Sequence, residues 1–217
     1  MAPFGSNDRD FGFAPNPFHG ICTLATCKPR IRNTAKVGDW IIGVGGSALK
    51  ANGRCIFAMM VTKKITFNEY WNSKAFNNKK PVRNGSMKMM LGDNIYFQNM
   101  DKSWHQVHSH HSLENGAINY HNLNRDTSSE YVLLSENFYY FGSMAPVIPP
   151  EILIDLNYKN HRNHRKYLII QTYKLIDWLE NEYGGCTNKV LADPFNFNKS
   201  AAHYLVENDR ISLPKQT

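Results

Sequence analysis

Gly38-Asp39-Trp40-Ile41-Ile42-Gly43-Val44-Gly45-Gly46 reads as a turn running straight into a strand, because Gly-Asp breaks the chain and an apolar run of strand length follows before the next glycine pair. After a loop carrying Asn52-Gly53, a second apolar run over residues 54–61 extends through Ile65. The Asn-Gly spacing predicts an antiparallel hairpin of two long strands. Thr66 with Glu69 three residues on is a capping-box pattern, so a short helix bearing Tyr70 and Trp71 is expected to end near Ser73. Upstream, residues 21–24 are β-prone, and Lys28-Pro29 turns the backbone into a basic loop.

Downstream, a Gly92-Asp93 turn leads into a strand over residues 94–97, and residues 131–134 and 138–141 read as further short strands. Asn77-Asn78 and Asn122-Leu123-Asn124 read as loops, the latter inside a polar, His-rich stretch over residues 102–130. Leu168, Thr172, Leu175, Ile176, Leu179 and Tyr183 fall at helical spacing with a Gly184-Gly185 stop, so an amphipathic helix packs on the strands. Its lead-in is basic: His161, Arg162, His164, Arg165 and Lys166. The fold class expected is α+β, a mixed or antiparallel small β-barrel flanked by helices. Residues 1–186 form one domain in this reading, and 187–217, without a strong period, a C-terminal extension.

The chain has 217 residues, 42% of them apolar and 20% charged, which excludes a collagen, a coiled coil and a disordered polyelectrolyte. Lys and Arg number 25 against 18 Asp and Glu, a net charge of +7 that favours polyanionic partners, nucleic acid first. The longest apolar run is seven residues, 55–61, too short to span a bilayer. With no signal-peptide core at the N-terminus, a cytoplasmic location is expected. Cys22, Cys27, Cys55 and Cys186 are scattered and read as reduced thiols.

The densest group of special residues runs from Asp10 to Gly20, where prolines and glycines can hold Asp10, Phe11, Asn16, Phe18 and His19 in set directions. The competing reading is a Pro-Gly turn whose Asn and Asp satisfy their own backbone. Lys28, Arg30 and Arg32 place three cations in five positions, enough to hold phosphate, unless they are only a solvated face. His19, Cys22 and Cys27 lack the pairing and the fourth ligand of a zinc site, and Cys22 and Cys27 would face opposite sides of a strand. His105, His108, His110 and His111 lie within seven positions, but without a metalloprotease or facial-triad signature they read as solvated imidazoles with one functional member. No metal or other cofactor is expected. Phosphate-binding-loop, dinucleotide-fingerprint and nucleophile-elbow motifs are absent from the sequence. Trp40 and other aromatics could stack on a base.

Three blocks then stand out: residues 10–18, Asp-Phe-Gly-Phe-Ala-Pro-Asn-Pro-Phe; residues 22–32, Cys-Thr-Leu-Ala-Thr-Cys-Lys-Pro-Arg-Ile-Arg; and residues 37–43, Val-Gly-Asp-Trp-Ile-Ile-Gly. They resemble the nucleotide modification associated domain 2 family, and the likeness continues through residues 109–112 and 138–142. The resemblance implies association with systems that modify or recognise altered DNA bases, without supplying a reaction. A looser, fold-level likeness is to the PUA-like group with its ASCH and EVE domains, small barrels that bind nucleic acid with a base in a pocket. This sequence lacks the ASCH Gly-Lys-x-x-x-x-Arg order.

Three readings follow. In the first, a modified base or nucleotide sits in a pocket formed by the N-terminal arm and the basic loop; Lys28, Arg30 and Arg32 contact phosphate, Trp40 or Phe18 stacks, Asp10 and Asn16 read the base edge, and Phe11, Thr23 and Ser112 complete the binding set. In the second, an enzyme acts on the same substrates with Asp10 and His19 or His111 as acid and base. In the third, the chain is an interaction subunit of a phage-defence or DNA-modification operon with a protein partner. The arm and residues 28–32 are expected to form one side of a single pocket, with His111 and Ser112 approaching its mouth.

Overall fold

The computed structural model describes residues 2–7 as backbone and residues 9–160 and 164–213 in full. His161 and Arg162 of the basic lead-in lie outside the described residues. The first half of the chain holds β1 (Ala2–Asn7), β2 (Cys22–Leu24), α1 (Pro29–Thr34), β3 (Trp40–Gly45), β4 (Cys55–Met60), β5 (Lys63–Thr66), α2 (Phe67–Asn72), α3 (Met87–Met90), β6 (Tyr96–Gln98) and β7 (Trp104–Gln106). The second half holds α4 (Tyr120–Asp126), β8 (Tyr131–Ser135), β9 (Asn137–Tyr140), α5 (Pro150–Asp155), β10 (His164–Tyr167), α6 (Ile169–Tyr183), β11 (Lys189–Val190), β12 (His203–Leu205) and β13 (Arg210–Ser212). The fold is mixed α/β.

The hairpin forms as expected: β3 and β4 pair antiparallel with Trp40 opposite Met60 and Ile42 opposite Ala58. Gly43 is required there, because a Cβ would meet the Phe57 ring at 2.1 Å. The two strands sit at the centre of a six-stranded sheet of order β10-β1-β3-β4-β9-β11. The expected long second strand is divided. Val61 N–H still donates to Asp39 in the hairpin, whereas Thr62 N–H donates to Leu134 of a different sheet, β2-β8-β5. β6 with β7 and β12 with β13 make two further pairs, and among the described residues no sheet closes on itself.

Two cores result. One packs the β3–β4–β9 strands against α5 and α6 through Ile152, Leu156, Leu175 and Leu179. The other gathers Phe11, Phe13 and Phe18 of the N-terminal arm with Phe67, Tyr70, Tyr96 and Leu123. Thr66 and Glu69 close the capping box at the start of α2. In α6, Thr172, Leu175 and Leu179 face the core as the spacing predicted, while Leu168, Ile169 and Ile170 are exposed at its start.

The stretch over 102–130 is the main correction. Rather than a solvated loop it contains β7 and α4, with Asn119 capping α4 by accepting from His121 and Asn122 N–H. Asn122 lies inside that helix, and Asn77 and Asn78 lie in a 3₁₀ helix. Gln106, Ser109, His110, His111, Asn122 and Asp126 are all buried. Residues after Thr187 add β11 parallel to β9, and the β12–β13 hairpin packs beside His110, whose carbonyl accepts from Tyr204 N–H.

Candidate functional site

Cys27 and Lys28 both adopt the left-handed conformation, with φ of 54° and 41°, before Pro29 starts α1 with its fixed φ. Left-handed backbone at two successive non-glycine residues is costly, on the order of 1–3 kcal/mol each, and is held only where the surroundings over-determine it. They do so here. Asp126 Oδ1 accepts from Cys27 N–H at 2.8 Å, and Arg32 Nε donates to the Cys27 carbonyl at 2.9 Å. Arg32 also donates to the carbonyls of Asp126, Ser129 and Tyr131.

The Cys27 side chain is half-buried and its Sγ lies 3.7 Å from His111 Nε2. On the other side of the imidazole, Nδ1 is 2.7 Å from Asp126 Oδ2, which also accepts from Tyr96 O–H at 2.9 Å. His111 and Asp126 are 2% and 1% exposed, so their pairing is shielded from water. Burial works against the charged imidazole, but Asp126 and Cys27 outweigh it and push the His111 pKa up to about 9. The Asp126 carboxyl, itself penalised by burial, is held below its ordinary value by His111 and Arg32. The set is thus thiol, imidazole and carboxylate in sequence, the arrangement that activates a cysteine nucleophile.

These three ligand types could also hold a metal ion, with their atoms within 4.8 Å of one another. Sulfur and carboxylate, however, occupy opposite nitrogens of one ring. An ion taking all three would have to displace the His111–Asp126 bond, and it would sit beside the Arg32 guanidinium. The geometry is a relay rather than a cage.

Cys27 and His111 line a cleft of about 1430 Å³. Among the described residues Arg9, Lys28, Arg30, Arg125 and Lys166 also line it, with one carboxylate, Asp209, which is paired with Arg9 at 2.5 Å. The positive field registers on His164, whose pKa is lowered by burial and then by Lys28, Lys166 and Arg30. The aromatic lining is continuous: Phe13 lies 4.8 Å from His111 and 5.0 Å from His110, and Tyr204 lies 5.5 Å from His111. His110 Nδ1–H donates to the Ala202 carbonyl at 2.7 Å. Burial, then the neighbouring His111, keep the His110 pKa well below the ordinary value, so its Nε2 is an acceptor.

Of the residues given binding or acid–base roles from sequence, Phe11, Lys28, Arg30 and His111 line the cleft, as do Cys27 and His110 of the two weighed metal clusters. The others are placed elsewhere by packing. Asp10 is buried, accepts from Tyr140 O–H and Phe195 N–H, and has its pKa raised by burial. Asn16 holds the buried Lys79 ammonium, and Thr23 donates to Asp93 at 2.7 Å. Phe18 packs on Phe197, Trp40 stacks on Tyr139 in the core, and Ser112 spans Ser109 N–H and C=O. Arg32 is fully buried, its guanidinium occupied by four backbone carbonyls, so phosphate cannot reach it. His19 is exposed on the turn before β2 and is not among the cleft residues.

Sequence reasoning missed Asp126, Arg125, Tyr204, Arg9 and Lys166 as site residues and considered Cys27 only as a metal ligand. The Asn119 cap was the one local signal that residues 120–126 are helical and bury a face.

The described residues thus form a mixed α/β domain with a cationic, aromatic-lined cleft around a buried histidine. The chain belongs to the nucleotide modification associated domain 2 family, whose model matches residues 7–201. The match includes Cys27, His111 and Asp126. No curated protein and no solved structure matches the chain.

Proposed function

We propose that the cleft binds a nucleotide or a DNA strand and that the protein recognises or processes a modified base there. The observation that carries this reading is the joint lining of one cleft by five cationic side chains and by Phe11, Phe13, His110 and Tyr204. Phosphate pairs with Lys28, Arg30 and Lys166, and a base lies against the aromatic lining with His110 Nε2 as an acceptor for an exocyclic amine. The roles first given to Asp10, Asn16, Phe18, Thr23, Arg32, Trp40 and Ser112 pass to these residues. The family membership supports the ligand class. The reading stands on the cleft and not on a PUA-like barrel, since the described sheets remain open.

The test is fluorescence anisotropy with single-stranded oligonucleotides and free nucleotides bearing plain or modified bases. With about three phosphate contacts on a single strand, affinity should fall roughly twentyfold between about 50 and about 200 mM salt, and Lys28→Ala with Arg30→Ala should flatten that dependence. No binding of any of these ligands at low salt refutes the reading.

A further inference from the structure

We propose that Cys27 is a covalent nucleophile, activated by His111 and oriented through Asp126, that attacks an electrophilic carbon of an anionic substrate held in the cleft. Four observations carry it. The sulfur sits 3.7 Å from a ring nitrogen whose partner nitrogen is fixed by a buried carboxylate. The Cys27 backbone is held at both its N–H and its C=O by Asp126 and Arg32, in a conformation that L side chains rarely adopt. The thiol opens into the cleft, whereas Cys22 and Cys55 are fully buried. The cleft lining is cationic, so the substrate is an anion. The proposal deepens the nucleotide reading and rests on it for the identity of the anion alone.

The step balances without a further reactant. His111 holds the Cys27 proton at Nε2, as an imidazolium beside a thiolate, and the thiolate lone pair forms the S–C bond. The electron pair displaced from that carbon moves to the adjacent atom, which receives the proton back from His111. Cys27 is left bonded to the substrate carbon and His111 is left neutral. Asp126 touches no reacting atom; it is a positioning residue that fixes the tautomer with Nε2 toward sulfur. The charged and titratable groups around the pair are Asp126 and Arg125 from α4, Arg32 from α1, Tyr96 from β6, His110 beside it in the chain and Tyr204 from β12.

Alkylation of the whole chain, followed by peptide mapping, tests this with the half-buried Cys186 as an internal reference. The attack on iodoacetamide or iodoacetate forms S–C and expels iodide. At pH ~6 Cys27, with His111 at its sulfur, should react roughly a hundredfold faster than Cys186, which has no imidazole beside it among the described contacts. Iodoacetate should gain on iodoacetamide at Cys27 relative to Cys186, because the lining attracts the carboxylate. His111→Gln should return Cys27 to the profile of Cys186, and Asp126→Asn should reduce its rate while leaving the thiol modifiable. Equal profiles for Cys27 and Cys186 in the unaltered chain overturn the proposal whether or not the variants fold. Equal preference for the two reagents overturns the anionic substrate class. Because no nucleotide enters the assay, a reactive Cys27 in a protein that binds no nucleotide refutes the functional reading and upholds the nucleophile.

Discussion

Replacing Asp126 by Asn keeps the shape of the side chain and removes its charge from a site where it accepts from His111, Tyr96 and Cys27. An amide nitrogen facing Nδ1–H would set two donors together, and the flipped amide would set them together at Cys27 N–H, so a hydrogen bond is lost either way. Each tenfold change in proton affinity is worth about 1.4 kcal/mol, so the rise of His111 from its ordinary value to about 9 corresponds to ~3 kcal/mol of folding free energy. That matches the ~3–5 kcal/mol expected when a buried pair loses one partner. In a chain of this size it lowers Tm by roughly 6–12 °C.

The sign of the pH dependence follows from the shifts. His111 is raised in the folded state, so its contribution is complete below about 6.5 and is lost as pH rises through about 9. Asp126 is lowered, so its contribution is present above the ordinary carboxylate value and disappears only in acid. The gap between wild type and Asp126→Asn should therefore be widest near pH 6 and narrow toward pH ~9. Urea unfolding followed by tryptophan fluorescence at several pH values measures it. A gap below about 1 kcal/mol, or one that stays constant across that range, refutes the ion-pair account.

Lys79→Met should destabilise by about 3 kcal/mol, because the buried ammonium is the donor to the Asn16 carbonyl, Asn16 Oδ1 and the Ile21 carbonyl. Asp93, raised by burial to about 6 and held down by Lys79, should then titrate higher still, so the variant should lose less stability at pH ~5 than at pH ~8 in the same unfolding assay. Tyr204→Ala should weaken oligonucleotide binding by about tenfold or more through the lost aromatic surface, read by anisotropy against an unchanged far-ultraviolet circular dichroism spectrum.

The parts of the molecule written into neighbouring residues were legible. Asn52-Gly53 between two apolar runs specified the central hairpin, and Thr66 with Glu69 specified the start of α2. What failed depended on burial, which charge and aromaticity do not reveal. Arg32 and Trp40 have the chemistry of phosphate and base contacts, yet one is spent on backbone carbonyls and the other on the core. The polar stretch over 102–130 misled for the converse reason, since Gln106, Asn119 and Asn122 bond to one another and to the His111 carbonyl inside the protein. Asp126 meets Cys27 from 99 positions away, and no spacing along the chain announces such a meeting.

The Arg9–Asp209 pair joins residues 200 positions apart, and Tyr204 completes the lining beside His111. During translation the cleft therefore stays open on one side until the last wall emerges from the ribosome, long after Cys27, His111 and Asp126 have been made. A chain ending before His203 would carry the thiol, its imidazole and its carboxylate, with Phe11 and Phe13, but without the Tyr204 ring beside His111. Contacts of such long range close slowly, so this side of the cleft is the last to be completed as the chain folds.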